Sequence, residues 1–417
     1  MHILLISNFF PPVQNTACNR ILSFARYWTE AGHKVTVLTT EKHPSLDGAL
    51  IERAPDLNSD LFKLIEVPYV TVPETQGPPS QTTRSSRSRI RTLAPTLLDR
   101  RARWYLAARR MPLEFMEGVD IIVGSHPVVY AFFLASFLGR KFKKKFVLDY
   151  RDLWTADPGS YKSILPIRIL EKVLEKHLIA RAAATVTVSD GQALMMKESF
   201  GCQSQVVENG FETEVLRPGQ LKRQARVRSP DKFKIGYFGR FFIPNRDPLP
   251  LFESLSKLKA NGKAGHLEIL FFGDSHPEAV AYIEKYGVAD LVKSFPAVSS
   301  RQAILEQADC DALLFIDWND PSLKGVMTGK IYEYAALGVP ILHIGGYPGS
   351  DAAEFILRHG IGRCFYNDTQ ALTAFLSNLK DPNEISNSSA ANGFETYSRA
   401  NLARKYLHIL EGAVSGQ

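Results

Sequence analysis

Short apolar runs alternate with longer amphipathic stretches along most of the chain. Residues 2–7 (HILLIS) are almost wholly apolar, residues 17–31 repeat apolar side chains at helical spacing, and Gly32-His33 closes that stretch before the run 34–39. Further runs at 62–67, 120–124 and 145–150 predict strands; helices are predicted from Val128, over 165–182 and over 192–200, with a strand at 184–189 between the last two. Continuous apolar strands separated by helices form parallel sheets buried on both faces. A polar, basic stretch, 217–232, reads as a linker, and then the pattern restarts. Strands are predicted at 233–240, 267–272, 291–295, 312–317 and 340–344, with helices between them and a last helix over 402–410. The fold class is therefore α/β, with two Rossmann-like domains in tandem, 1–215 and 230–395. Ligands of such sheets bind outside the carboxyl ends of the strands, at the point where strand order reverses.

Length agrees: 417 residues exceed one ordinary core. With 45% hydrophobic and 22% charged residues, the composition is that of a globular enzyme. The apolar run 128–138 falls well short of the ~20 residues that span a bilayer. The chain opens directly on a strand pattern, so no signal peptide is expected and a cytoplasmic place is. Cys18, Cys202, Cys310 and Cys364 are far apart and form no CxxC pair, which reads as reduced thiols without a zinc site. Charge is unevenly spread. Residues 84–110 hold nine arginines and one acid, Asp99, a net +8 in a chain of net +7. Interleaved with Leu93, Leu97, Leu98, Trp104, Tyr105 and Leu106, this segment suits an anionic membrane surface or an anionic acceptor. A solvated loop is the plain alternative, and no nucleic-acid module is present to favour a nucleic-acid partner.

Residues 325–342, GVMTGKIYEYAALGVPIL, carry the chemistry. A loop of Gly325, Val326, Met327 and Thr328 runs into a short helix pattern that stops at Gly338-Val339-Pro340, and an apolar strand follows. Backbone N–H groups at a helix start form an anion site. Lys330 adds positive charge there, and Glu333, one turn on, adds a carboxylate suited to a ribose diol. Any αβ turn of a doubly wound sheet shares part of this pattern. Asp309-Cys310-Asp311 leads into a strand, where cap and strand-start roles explain it better than metal binding.

The segment resembles the donor-nucleotide site of GT-B glycosyltransferases, in particular the retaining glycosyltransferase family 4, and the resemblance extends over nearly the whole chain. The opening strand, loop and helix look like the family's, including Pro11-Pro12 and Arg20, although Asn15-Thr16 stands where the family has a Gly-Gly pair. Residues 149–154 (DYRDLW) look like a motif of bacterial polysaccharide-assembly members, and residues 207–211 (VENGF) like the turn that ends the first domain. After the strand ending in Gly239, Arg240 and Arg246 stand where the family places an Arg and a Lys on the donor diphosphate; Asp247 reads as a helix cap. Glu333 matches the second acid of the family's paired-glutamate motif, whereas the first position is Gly325. His126 stands in a loop where the family often has a His near the reacting sugar, and Ser125 or a structural histidine are the alternatives.

The resemblance implies two sheets facing a cleft, with a C-terminal helix of about 396–417 packing back on the first domain. It implies a retaining transferase that passes a sugar from a nucleotide-diphosphate donor to an acceptor hydroxyl in bacterial surface polysaccharide or glycolipid assembly. Gly239, Arg240, Arg246, residues 325–328, Lys330 and Glu333 would hold the donor, with His126, Arg240 and Arg246 closest to the chemistry. Asn15, Thr16, Arg20 and Arg151 would face a lipid-linked or saccharide acceptor. No metal or other cofactor is expected. A nucleotide-sugar epimerase of the same fold is the alternative, and Gly325 motivates a third reading, a binding protein that has lost turnover.

Overall fold

The computed structural model describes residues 1–11, 16–40, 57, 60–68, 101–157, 164–227, 231–323, 325–386 and 393–416. It divides into two compact units, 1–208 with 399–417, and 209–398.

The first unit holds a seven-stranded parallel sheet in the order β3-β2-β1-β4-β5-β6-β7. Its strands are β1 (His2–Ile6), β2 (Lys34–Thr40), β3 (Phe62–Val67), β4 (Ile121–His126), β5 (Lys145–Tyr150), β6 (Ala184–Thr187) and β7 (Gln205–Val206). The inner strand β1 is buried at every position, which is why it is written without polar alternation. Two apolar layers cover the sheet: one gathers Trp104, Phe132 and Trp154, the other Phe24, Trp28 and Tyr406.

The second of these layers is closed by the last helix, Arg399–Ser415. On the helix Thr16–Glu30, Arg20, Phe24 and Trp28 recur every four residues and so share one face. The Arg20 guanidinium lies 4.7 Å from the Phe24 ring centroid, and Phe24 stacks on Trp28 at 5.2 Å. Tyr406 meets both rings edge-on, at 5.1 and 5.4 Å, and the Trp28 indole N–H donates to the Ala403 carbonyl at 3.0 Å.

The second unit holds a six-stranded parallel sheet, order β10-β9-β8-β11-β12-β13. Its strands are β8 (Phe233–Phe238), β9 (Leu267–Phe272), β10 (Val292–Phe295), β11 (Ala312–Asp317), β12 (Ile341–Gly345) and β13 (Gly362–Tyr366). In both sheets the strand order reverses beside the first strand, between β1 and β4 and between β8 and β11.

Three readings of the sequence change. The stretch 217–232, expected to be a linker, lies largely in a helix, Thr213–Ala225, of the second unit. Leu216 and Gly219 are its buried positions, and a Cβ at 219 would collide with Ile304 and Leu337, so the helix packs through a narrow, small-residue face. The division between units accordingly falls after Glu208, and residues 209–215 join the second unit. Of the arginine-rich segment, residues 84–100 lie outside the described residues, and Ala102–Arg110 is a helix. Trp104, read as a side chain for a lipid interface, is fully buried and donates to the Thr39 carbonyl at 3.2 Å.

Tyr406 yields a test of this packing. Its hydroxyl is buried without a protein hydrogen-bond partner. Tyr406→Phe should therefore leave stability unchanged or raise it, because no bond is lost and a buried polar group disappears. Tyr406→Ala should cost about 3–5 kcal/mol, as for other large aromatic deletions. Urea denaturation followed by Trp fluorescence checks both, and equal losses would show that the ring does not hold the last helix in place.

Candidate functional site

Four loops of the second unit converge on the carboxyl ends of β8, β9, β11 and β12. Gly239 follows β8, and its neighbour Gly273 follows β9 at φ +149°, outside the region open to other residues. A Cβ on Gly273 would come within 2.8 Å of the Gly239 carbonyl carbon, and one on Gly239 within 2.9 Å of the Tyr237 hydroxyl and into the Lys330 ammonium. Two backbones thus meet where neither tolerates a side chain, and Lys330 fills the space left.

Lys330 belongs to the helix Gly329–Leu337, capped at Thr328 and ended by Gly338 at φ +66°. Its ammonium donates to the Phe238 carbonyl at the end of β8. Burial first, and the Arg246 charge second, lower its pKa to about 8 against the opposing charges of Glu333 and Asp274. Arg246 is buried, with Nε donating to the Ile316 carbonyl of β11 at 2.6 Å and its guanidinium 5.9 Å from the Phe315 ring centroid. Two cations are thus desolvated near one helix start. The Thr328 hydroxyl is buried there without a protein partner, and the helix contributes its own positive end. An anion with several acceptor oxygens would relieve all of these at once.

Met327 is held from behind, its carbonyl accepting from the Asn209 amide at 3.1 Å. Val326 hydrogen-bonds back to Leu323 at 3.1 Å, and Gly325 is buried. Glu333 is half-buried one turn along the helix from Lys330. Arg240 is exposed, its guanidinium 5.5 Å from the Phe242 ring centroid. Phe242 in turn stacks on Trp318 at 5.3 Å, which joins the loops after β8 and β11. Asp247 accepts from the Leu249 amide at 2.9 Å and from the Tyr282 hydroxyl at 2.8 Å, but the N-cap of the helix Leu249–Ala260 is Pro248, not Asp247 as expected.

Below Trp318, Asp317 is buried at the end of β11. Burial raises its carboxyl, but His343 at 3.2 Å, Ser350 at 2.8 Å and the Trp318 amide outweigh that and hold it below the usual range. This cluster anchors the loop after β12, where Gly345 and Gly346 pack closely on Asp317.

The residues read as facing an acceptor lie in the first unit, and they are not alike. Asn15 and the Thr16 side chain lie outside the described residues. Arg20 is buried in a structural pair: it donates to Asp149 at 2.8 Å and to the carbonyls of Val207 and Glu208 at 2.9 and 2.8 Å. Ser125 donates to the same Asp149 at 2.8 Å. This network spends the guanidinium on the sheet, so Arg20 is a framework residue rather than an acceptor contact. His126 is buried beside Phe132 and Tyr150, and burial depresses its pKa to about 3. It is therefore a neutral ring at physiological pH, with Nδ1 lacking a protein partner. Arg151 is partly exposed and lies 3.6 Å from Asp152.

Asp309 and Asp311 are bound to cations of the protein itself, Lys234 at 2.9 Å and Arg226 at 2.8 Å. Among the described residues no group of three His, Cys, Asp or Glu could hold a metal ion.

Sequence reasoning missed the Phe242–Trp318 stack, the Asn209 amide and Gly273. Only Gly273 left a signal, as the glycine that ends an apolar run, FFG, like Gly239.

Residues 19–215 match the family described as Glycosyltransferase Family 4. The fold is that of many solved chains. A sucrose-phosphate synthase from Thermosynechococcus elongatus superimposes at TM-score 0.69 with 13% identity, covering 100% of this chain and 99% of its own. HepE of Anabaena, solved with UDP and glucose, gives 0.62 with 14% identity and 99% coverage of both chains. A UDP-N-acetylglucosamine 2-epimerase gives 0.54 with 12% identity, covering 100% of this chain and 97% of its own. The sequence finds no match among curated proteins.

The close approach at Gly239 makes a direct prediction. Gly239→Ala should push the Lys330 ammonium from its seat and weaken binding of a nucleoside diphosphate by about 1.5–3 kcal/mol, the worth of one charge-assisted contact. Circular dichroism should show the fold intact. Calorimetry with UDP giving parental affinity would show that the lysine does not need this seat.

Proposed function

We propose that the chain is a glycosyltransferase family 4-like protein of GT-B fold, and that it transfers a sugar, with retention, from a nucleotide-diphosphate donor to an acceptor hydroxyl. The observation that carries the proposal is the paired, desolvated charge of Lys330 and Arg246 beside the unpartnered Thr328 hydroxyl, at the strand-order reversal of the second sheet.

In this reading Lys330, Thr328 and the amides at the helix start hold the diphosphate, with Arg246 adding its charge through the buried site. Arg240, exposed on its loop, closes on the outer phosphate. Glu333 takes the ribose. Breaking the bond from sugar C1 to the phosphate oxygen leaves negative charge on the diphosphate, and cations already desolvated around it stabilise that charge most where it grows. The acceptor oxygen bonds to C1 on the same face, and its proton passes to the departing phosphate oxygen. The neutral His126 ring and Arg151 remain the proposed acceptor-side groups of the first unit. HepE, solved with UDP and glucose, supports a uridine donor as the first to try. We place the activity at the cytoplasmic face of a membrane, in surface polysaccharide or glycolipid assembly, with the arginine-rich segment 84–110 as one contact to anionic lipid.

Gly325 favours a second reading. It supplies no carboxylate to the donor sugar, so a protein that binds nucleotide-sugars without transfer fits the same site; the epimerase fold neighbour supports a third. Incubation with UDP-glucose and a panel of lipid-linked acceptors separates them. Glycosylated acceptor supports transfer, an epimerised nucleotide-sugar without acceptor supports the epimerase, and tight binding without turnover supports the binder.

Two measurements test the donor site. Arg240→Ala should lower kcat/KM by about 1.5–3 kcal/mol of transition-state stabilisation, and an unchanged value would remove Arg240 from the site. The second is pH dependence. Lys330 loses its proton as pH rises through about 8, and a bound diphosphate favours the charged form. UDP affinity should therefore fall above pH 8, with net proton uptake on binding near that pH. Lys330→Met should abolish both effects, and a pH-independent affinity between 7 and about 9 would exclude the lysine as a ligand.

A further inference from the structure

The helix Leu165–Ile179 of the first unit combines two buried acids with an exposed apolar ridge. Its two acids, Glu171 and Glu175, are fully buried. Glu175 accepts from the Thr155 amide at 2.8 Å. Leu174, Leu178 and Ile179 pack on the core, but a second set of apolar residues points outward: Leu165 is 68% exposed, Ile169 58%, Leu170 50% and Val173 59%, with Ile164 exposed just before the helix. An amphipathic surface helix normally buries such a stripe.

Residues 165, 169 and 173 stand four apart and form one continuous ridge. Arg168, Lys172 and Lys176, also four apart, form a second exposed ridge beside it, and Arg181 follows. The Lys172 ammonium lies 5.8 Å from the Phe200 ring centroid, at the edge of this face. Since both carboxylates turn inward, every charged side chain that residues 164–181 present outward is basic. A protein partner would be expected to meet this face with acids spaced to match, and a second copy of the same face would bring like charges together. A bilayer holding anionic lipid meets both features at once, taking the apolar ridge below the headgroups and the ammonium groups among the phosphates. Among the described residues no helix is long and apolar enough to cross a membrane, so attachment would be by this face lying in the interface.

We infer that the outward face of this helix docks the protein onto an anionic bilayer. The inference is independent of the donor site and of the arginine-rich segment. Flotation of the full chain with phosphatidylglycerol–phosphatidylcholine vesicles tests it. The parent should float with these vesicles at low salt, less at high salt, and not with phosphatidylcholine alone. Ile169→Ser with Val173→Ser should lower binding roughly tenfold or more, and Lys172→Glu with Lys176→Glu should do the same. Both variants change exposed side chains, so thermal midpoint and UDP affinity should match the parent, which keeps this test separate from failure of the donor reading. Three results would overturn the inference. One is a parent that does not float with the acidic vesicles. A second is helix variants that float as the parent does while Arg103→Ser with Arg110→Ser abolishes flotation. The third is light scattering that shows a dimer of the parent lost in the Ile169/Val173 variant with flotation untouched, which would assign the face to a second copy.

Discussion

Lys330 reaches the end of β8 because two neighbouring backbones have no side chains there. The ammonium bonds to the Phe238 carbonyl in the space that a Cβ at Gly239 would occupy, and Gly239 itself rests against Gly273. From that contact follow the other properties of the site. The lysine is desolvated, so its charge is dear to maintain without an anion. Arg246 is fixed to β11 and raises that cost. The helix start is drawn toward the sheet, with Met327 held by Asn209. The protein thus keeps positive charge where water cannot screen it, in a position set by backbone rather than by flexible side chains.

The first unit solves the matching problem differently. At its own reversal point, the charges near the strand ends neutralise each other: Arg20, Asp149 and Ser125 form a closed network, and His126 is kept neutral by burial. Removing one member of such a buried pair would strand the other. In the second unit two cations, Lys330 and Arg246, lie close together, whereas in the first unit the Arg20 charge is matched by Asp149.

Much of the fold was legible because a parallel strand buried on both faces is written in apolar letters. β1, β2, β3, β5, β9 and β11 fall within a residue of the runs that predict them. β7 is two residues long, and β13 reads Gly-Arg-Cys-Phe-Tyr, so neither has a run to detect. The helix Thr213–Ala225 passed for a linker because it carries Pro218 and basic residues and buries only Leu216 and Gly219. At the candidate site, the loop before the helix Gly329–Leu337 was legible from small residues beside a lysine. Arg20 was misread because sequence distance hides its partner, Asp149, on another strand. A guanidinium near a loop looks alike in sequence whether it meets a ligand or the sheet. The same holds for Trp104, whose neighbours in sequence are arginines but whose neighbour in space is the Thr39 carbonyl.

The last helix has a consequence for the way the chain is made. Phe24 and Trp28 are made long before their partner Tyr406. At ~5–20 residues per second the two rings wait roughly 20–75 seconds for it. Every residue of the second unit, 209–398, is synthesised within that interval. The half of the protein translated first therefore waits with an open sheet face while the whole of the second unit is made. Such a face is what chaperones bind, so dependence on them during translation should concentrate on the aromatic ladder of the first helix rather than on the second unit.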